Sequence, residues 1–307
     1  MDKNTPTTLS LTDRALIRAE GKDAETLFQG LVSTDVERLS AGDLRFTTLL
    51  TPQGKIAFEF FLLKTPDGFW IDVAQEFAAT LLKRLKLYRL RADVSLDPIS
   101  SHGVRAIFDP APSDDSVNAP SGAPSGAPSG ALTAHDPRWA PLGLRCYEPI
   151  AADTPTDPEK IETPDPYYVW ERRHGIPALG RDFAPDSQFL LDMNYDLLGG
   201  VSRKKGCFVG QEVTSRMMRK SDIRKRTLII EQNTEDDGAL PFQSGEKITI
   251  DDAAVGTILG PSDEVASIIA LGVFRVDRLA GATKANYKEA VVSIRAPDYM
   301  TTPNTDG

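Results

Sequence analysis

The sequence predicts an α+β fold in which two α+β lobes precede a small β-barrel. Three observations carry this expectation. Helical and strand-like periodicities alternate through the first half of the chain, whereas the last quarter is a series of short β-prone runs parted by Gly, Pro and Asp turns. Stretches rich in Pro, Ala, Ser and Gly separate these regions, and 307 residues suffice to bury more than one core.

Ala24, Leu27, Phe28, Leu31 and Val32 recur at helical spacing, so Gly21 to Ser33 reads as an amphipathic helix. Arg45 to Leu50 and Lys55 to Lys64 are β-rich and flank the turn signal Thr51-Pro52-Gln53-Gly54. Pro66-Asp67-Gly68 then turns the chain into a third strand, Phe69 to Val73, completing a meander. Phe77 to Arg91 sets Ala78, Leu81, Leu82, Leu85 and Tyr88 on one helical face, and strand candidates Val94 to Leu96 and Val104 to Phe108 follow.

Composition changes abruptly at Pro110. Ala-Pro-Ser-Gly occurs three times in succession from Ala119 to Gly130, too polar a repeat to bury surface that would offset its ordering entropy, so 110–137 is expected to be a flexible insertion. Gly143 to Tyr147 resumes as a strand, Ala151 to Pro164 forms a second link, and Asp165-Pro166 carries the N-cap and first-turn signature of a helix through Tyr167, Val169 and Trp170. Thr227 to Glu231, Lys247 to Ile250, Ala254 to Leu259, Ser267 to Val273 and Ala290 to Ile294 are the strand candidates of the last lobe, which reads as a small barrel or sandwich. The expected domains are 1–222 and 223–307.

Composition narrows the function classes. An apolar content of 40% suits a globular protein, and no stretch reaches the roughly 20 uninterrupted apolar residues of a membrane helix, so no membrane role is expected. Met1 to Leu11 is polar and contains an acidic residue, unlike a secretory signal or an Arg-rich transit peptide. Two cysteines, Cys146 and Cys207, make no disulfide framework, which points to a reducing compartment and to the cytoplasm as the default. Between Arg203 and Arg226 nine basic residues face two acidic ones, so the remainder of this −9 chain carries −16. Such a basic island attracts a polyanion locally while the whole molecule repels nucleic acid at long range.

Chemistry concentrates at Cys207, in the run Lys205-Gly206-Cys207-Phe208-Val209-Gly210-Gln211-Glu212. Lys204 and Lys205 precede the thiol, the two glycines permit close backbone approach, and Gln211 to Lys220 reads as a helix whose start, like the basic side chains, favours a thiolate. Arg216 adds to this if the helix turns it back toward the loop. A buried structural cysteine is the competing reading, and it suits Cys146, set in an apolar run. His102, His135 and His174 form no metal-ligand pair by spacing with Cys207 or with one another, so a metal role for Cys207 requires ligands from a second protein. A thiol hydrolase assembled in space stays open.

The run 205–212 resembles the K-G-C-[FY]-x-G-Q-E signature of the YgfZ family, folate-binding iron–sulfur maturation factors related to the glycine cleavage T-protein. Gly21 to Ala24, Phe28 to Val36, Leu50 to Ile56, Gly175-Ile176-Pro177 and Asn194 to Val201 extend the resemblance over nearly the whole chain. It implies a three-lobed, T-protein-like ring around a channel for tetrahydrofolate. Gln29, Thr34, Asp35, Thr51 and Gln53 would line one wall, with Arg172, Arg173 and Arg216 as further folate contacts. It also implies a transient iron–sulfur cluster held by Cys207 jointly with an A-type carrier, client iron–sulfur enzymes as partners, support of tRNA modification, and a motif in which Lys205, Gly206, Gly210, Gln211 and Glu212 serve the thiol. The T-protein's Asp-Asp pair corresponds here to Phe58-Glu59, and its pterin-holding glutamate to Arg173, which removes the electrostatic basis for aminomethyl transfer. Three readings follow: an assembly factor acting through Cys207; a folate-dependent one-carbon transferase; and a thiol enzyme or RNA-binding module that uses the basic segment.

Overall fold

The computed structural model describes residues 6–109, 131–150, 166–219, 223–233, 240–261, 263–264 and 267–301. The Ala-Pro-Ser-Gly repeat and the link at 151–164 lie outside the described residues. The chain forms two compact units: Met1–Leu49, Phe58–Glu162 and Leu198–Val209 make the first, and Leu50–Ala57, Thr163–Leu197 and Gly210–Gly307 the second. This division follows other lines than an expected cut at 222/223.

The first unit contains strands β1 (Thr7–Ser10) and β2 (Arg14–Glu20), helix α1 (Ala24–Leu31), β3 (Leu44–Leu50), β4 (Ile56–Thr65), β5 (Gly68–Ala74), helix α2 (Gln75–Arg89), β6 (Ser95–Ile99), β7 (His102–Phe108), β8 (Leu132–His135) and β9 (Leu144–Pro149). The ends of β3 and β4 that flank the turn at 51–54 belong to the second unit. One sheet has the order β3-β4-β5-β2-β6, so the expected meander is present, and a second has the order β1-β7-β9-β8. Helix α1 buries Ala24, Phe28 and Leu31, with Phe28 set edge-on against Phe69 of β5. Each such aromatic or aliphatic side chain contributes on the order of 1.5–3 kcal/mol through the apolar area it removes from water.

Two outcomes differ from expectation. Strand β2 was not foreseen, because its apolar residues are interrupted by Arg14 and Arg18, yet it pairs with both β5 and β6. Arg14 is tolerated there because Asp72 of β5 accepts its Nε at 2.6 Å. The flexible insertion was expected to run through Pro137, but Leu132–His135 pairs with β9 as β8 and the Asp136 carboxylate is buried against Arg138. Leu132 onward therefore belongs to the folded first unit rather than to an insertion.

A buried ionic cluster lies within this unit. Asp72 accepts from Arg14, from Arg145 Nε at 3.0 Å and Nη2 at 2.7 Å, and from the Tyr147 hydroxyl at 3.2 Å. Arg145 also reaches Asp136 at 3.8 Å, and Arg14, Arg138 and Arg145 all approach the ring of Phe61. Burial alone would raise the Asp72 carboxyl, but the adjacent Arg14 and Arg145 guanidinium groups hold it below its ordinary value.

In the second unit, helix α3 (Pro166–Arg173) leads into an irregular segment, followed by helix α4 (Gln211–Arg219) and strands β10 (Lys225–Asn233), β11 (Lys247–Ile250), β12 (Ala253–Ile258), β13 (Asp263–Glu264), β14 (Ser267–Arg275), β15 (Lys284–Tyr287) and β16 (Ala290–Arg295), with α5 (Val276–Leu279) after β14. The order β10-β16-β15-β11-β12-β14 closes through β10–β14 pairing into a six-stranded barrel, with β13 appended to β14. Ile230, Ile248, Phe274, Tyr287 and Val292 fill its core. The fold is thus α+β with a C-terminal β-barrel, and among the described residues no helix is long and apolar enough to cross a membrane.

Candidate functional site

The loop that bears Cys207 is sewn to the residues after α1. Ser33 Oγ donates to the Gly200 carbonyl at 2.6 Å, and Ser202 N donates to the Ser33 carbonyl at 3.0 Å. Ser33 Oγ also shares a 2.8 Å hydrogen bond with Thr48, while Thr34 donates its hydroxyl to Thr47 at 2.7 Å. All four hydroxyl residues are buried, so the network is a structural support rather than a ligand surface.

Lys205 completes the attachment. Its side chain enters the interior and Nζ donates to the carbonyls of Gln29 (2.7 Å), Val32 (2.7 Å) and Thr34 (2.9 Å). An ammonium has three N–H donors, so all are used. Helix α1 has no basic residue in its own last turn, and its carbonyl end takes this cation from a residue 176 positions away. Burial pushes the Lys205 ammonium down to about 8, against the opposing pull of Asp35 and Glu37.

This geometry corrects the role expected for Lys205. Its donors are directed to main-chain carbonyls rather than to the thiol, because the last turn of α1 and the residues just after it offer three acceptors that require partners. Phe208, on the other side of the cysteine, is buried and lies 5.4 Å from Lys205 Nζ at its ring centroid. Cys207 is exposed between these two anchors, as is Gly206, while Cys146 is buried in β9. Both cysteines therefore sit where their sequence contexts placed them.

From Gly210 onward the motif belongs to the second unit. Gly210 adopts φ +79, and a Cβ there would lie 2.6 Å from the Thr51 carbonyl and 2.9 Å from Leu50 Cβ. Gly54 mirrors it at φ +80, with Val213 Cβ 2.9 Å from its hypothetical Cβ. The turn at 51–54 and the start of α4 thus approach through two glycines, which joins two runs separated by more than half the chain. Thr214 fastens the first turn by donating Oγ1 to the Gly210 carbonyl at 3.3 Å. Gln211 is half-buried, and Glu212 and Arg216 are exposed on α4.

The expected folate contacts do not form one free donor set. Thr34 is buried and engaged, which corrects its expected role. Gln29 Nε2 donates to Asp35 Oδ1 at 3.2 Å and its Oε1 accepts from Val36 N at 3.0 Å, so its carboxamide shapes the turn. Arg172 is likewise corrected: it is buried and donates to Asp182, which Arg181 also contacts while bridging to Glu171. Arg173 is half-buried with its carbonyl accepting from Arg295, Thr51 is half-buried, and Gln53 and Arg216 are exposed. Phe58 is buried and supplies no carboxylate, and Glu59 is half-buried. Among the described residues, no three His, Cys, Asp or Glu side chains gather into a metal site.

Sequence reasoning missed Ser33, Thr47, Thr48 and Ser202. The last was open to detection: its hydroxyl accepts from the Lys204 and Lys205 amides, the local turn habit of serine. The others form a pattern only once β3 is folded beside the end of α1.

No protein-family model matches the chain. Among curated proteins it is 28% identical over 259 residues to the iron–sulfur cluster assembly factor IBA57 homolog, mitochondrial, of Coccidioides immitis, covering 76% of this chain and 59% of that protein. It is 26% identical over 229 residues to the human iron–sulfur cluster assembly factor IBA57, mitochondrial, covering 70% of this chain and 64% of that one. The chain therefore spans less than two thirds of the length of these relatives. Among solved structures, the glycine cleavage system aminomethyltransferase T of Bartonella henselae superposes with a TM-score of 0.67 at 12% identity, covering 94% of this chain and 84% of that one. The two relations implied by the run at 205–212 are both met: the chain is similar in sequence to the IBA57 iron–sulfur cluster assembly factors and in fold to aminomethyltransferase T.

Proposed function

We propose that this chain takes part in assembling iron–sulfur clusters on other proteins, with Cys207 as the thiol that holds or passes on a cluster jointly with a carrier protein. One observation carries the reading: Cys207 is exposed on a loop whose neighbours on both sides are buried anchors. A thiolate is the ligand that cluster iron takes from cysteine, and a rigidly presented thiol loses little freedom on ligation. The cluster is cargo here, its other ligands coming from an A-type carrier or a client enzyme. The relatives' names supply the process. Two free cysteines suit a reducing compartment, and the relatives are mitochondrial by name.

Binding of tetrahydrofolate belongs to the proposal through the residue runs at 28–36 and 50–56, without Thr34 or Arg172 as side-chain contacts. Saturating tetrahydrofolate should raise the melting temperature by mass action. An unaltered melting curve together with unaltered Trp fluorescence removes folate from the account.

The main test depletes the protein in cells, measures iron–sulfur enzyme activities, and compares rescue by wild type, Cys207→Ala and Cys146→Ala. Cys207→Ala should fold but fail to restore activity, while Cys146→Ala should restore it at reduced stability. Full rescue by Cys207→Ala excludes the thiol as the working group.

A further inference from the structure

We propose that Lys205 is a positioning residue: its ammonium, clipped to the Gln29 carbonyl in the last turn of α1 and to the Val32 and Thr34 carbonyls that follow, holds the turn that presents Cys207. This rests on the reading of Cys207 as the working thiol and adds the part of the structure that aims it.

The geometry excludes the alternatives for this lysine. Three carbonyl oxygens at 2.7, 2.7 and 2.9 Å match the three N–H donors of one ammonium, so none is left to contact a thiolate or a ligand. The side chain is buried, which excludes a solvated surface charge. Two residues on, Cys207 is exposed, and a Cβ at the intervening Gly206 would meet nothing within 4 Å. The chain thus dives at Lys205, surfaces at 206–207, and dives again at Phe208. A turn anchored at both ends has few conformations, and the anchor on the N-terminal side is this clip. The Ser202 N–H to the Ser33 carbonyl and the Ser33 hydroxyl to the Gly200 carbonyl run alongside it.

The test combines hydrogen exchange with rescue. Lys205→Met keeps the stem and its packing but removes the donors, and Ser202→Ala removes only the acceptor of the Lys204 and Lys205 amides, so it retains the fold if the first variant does not. Both should keep the wild-type far-ultraviolet circular dichroism. Exchange at the amides of Ser202, Lys204 and Lys205 should quicken by roughly tenfold or more in Lys205→Met, whereas Ser202→Ala, which removes the acceptor of the Lys204 and Lys205 amides but leaves the clip, should quicken those two and spare the Ser202 amide, with β10–β16 unchanged in both. Lys205→Met should also lose most of the rescue of iron–sulfur enzyme activity although Cys207 is still present. Unchanged exchange at these amides in Lys205→Met, or loss of Ser202 amide protection in Ser202→Ala equal to that in Lys205→Met, overturns the clip. Wild-type rescue by Lys205→Met, where Cys207→Ala fails, overturns its positioning role. Should Cys207→Ala itself rescue, the thiol reading fails separately, and exchange alone then judges the clip.

Discussion

Three ionisable residues with restricted access to solvent differ in their effect on stability. Asp72 lies between Arg14 and Arg145, and removing one partner of a buried ion network leaves the others uncompensated. Asp72→Ala should therefore cost about 3–5 kcal/mol, measured by denaturant unfolding. Asp192 is the reverse case: burial pushes its carboxyl up to about 6, against the pull of Lys225 and Arg226. A raised folded value means that its contribution is full below the unfolded 3.8 and is lost as pH rises through about 6. Asp192→Asn should then stabilise the protein at pH 7 by up to about 3 kcal/mol and leave pH 3.5 unaffected. His174 stacks edge-on against Trp170, and burial pushes it down to about 4, against Asp298 and with help from Arg295 and Arg173. Its contribution is present above the unfolded 6.5 and is lost as pH falls toward 4. The melting profile of His174→Gln should be flatter than wild type across that window, by an amount equivalent to about 3 kcal/mol. An identical slope in both would show that the ring is charged or solvated in the folded protein.

At the scale of elements, the glycines of the motif divide by geometry. Gly210→Ala places a methyl group 2.6 Å from the Thr51 carbonyl at a positive φ, and should destabilise by about 1–3 kcal/mol. Gly206→Ala meets open space and should stay within about 0.5 kcal/mol of wild type. Equal losses in the two, by thermal or urea unfolding, would refute the close approach of the 51–54 turn to the start of α4. Helix α1 shows how far periodicity carries: Ala24, Phe28 and Leu31 are its buried face, as their spacing implied, but nothing local said that Lys205 would cap its end. Strand β15, Lys284–Tyr287, has little β-propensity of its own and is a strand through its register with β16.

The whole molecule is assembled from segments that are not contiguous in sequence. Leu198–Val209 belongs with the first unit and Gly210–Gly307 with the second, so the motif divides between Val209 and Gly210. Destabilising the first unit through Asp72→Ala should therefore quicken hydrogen exchange in 198–209 together with the sheets around α1, and leave the barrel strands β10–β16 at wild-type protection. Exchange in 198–209 that instead follows the barrel would show that the loop belongs to the other unit.

The elements with strong periodicity, the meander, five of the six barrel strands, the exposure of Cys207 and the burial of Cys146 were legible in the amino-acid sequence, because those follow from apolar spacing and local turn chemistry. The relation to the assembly factors is likewise a relation of sequence, 28% identity over 259 residues to one of them. What Lys205, Thr34 and Arg172 do emerges only when the chain is folded. Their partners are main-chain carbonyls, a buried hydroxyl and a buried carboxylate brought from other parts of the chain. A charged or polar residue written in a sequence looks the same whether it faces a ligand or satisfies the interior, and the low dielectric of the folded core makes the second use obligatory wherever acceptors are buried.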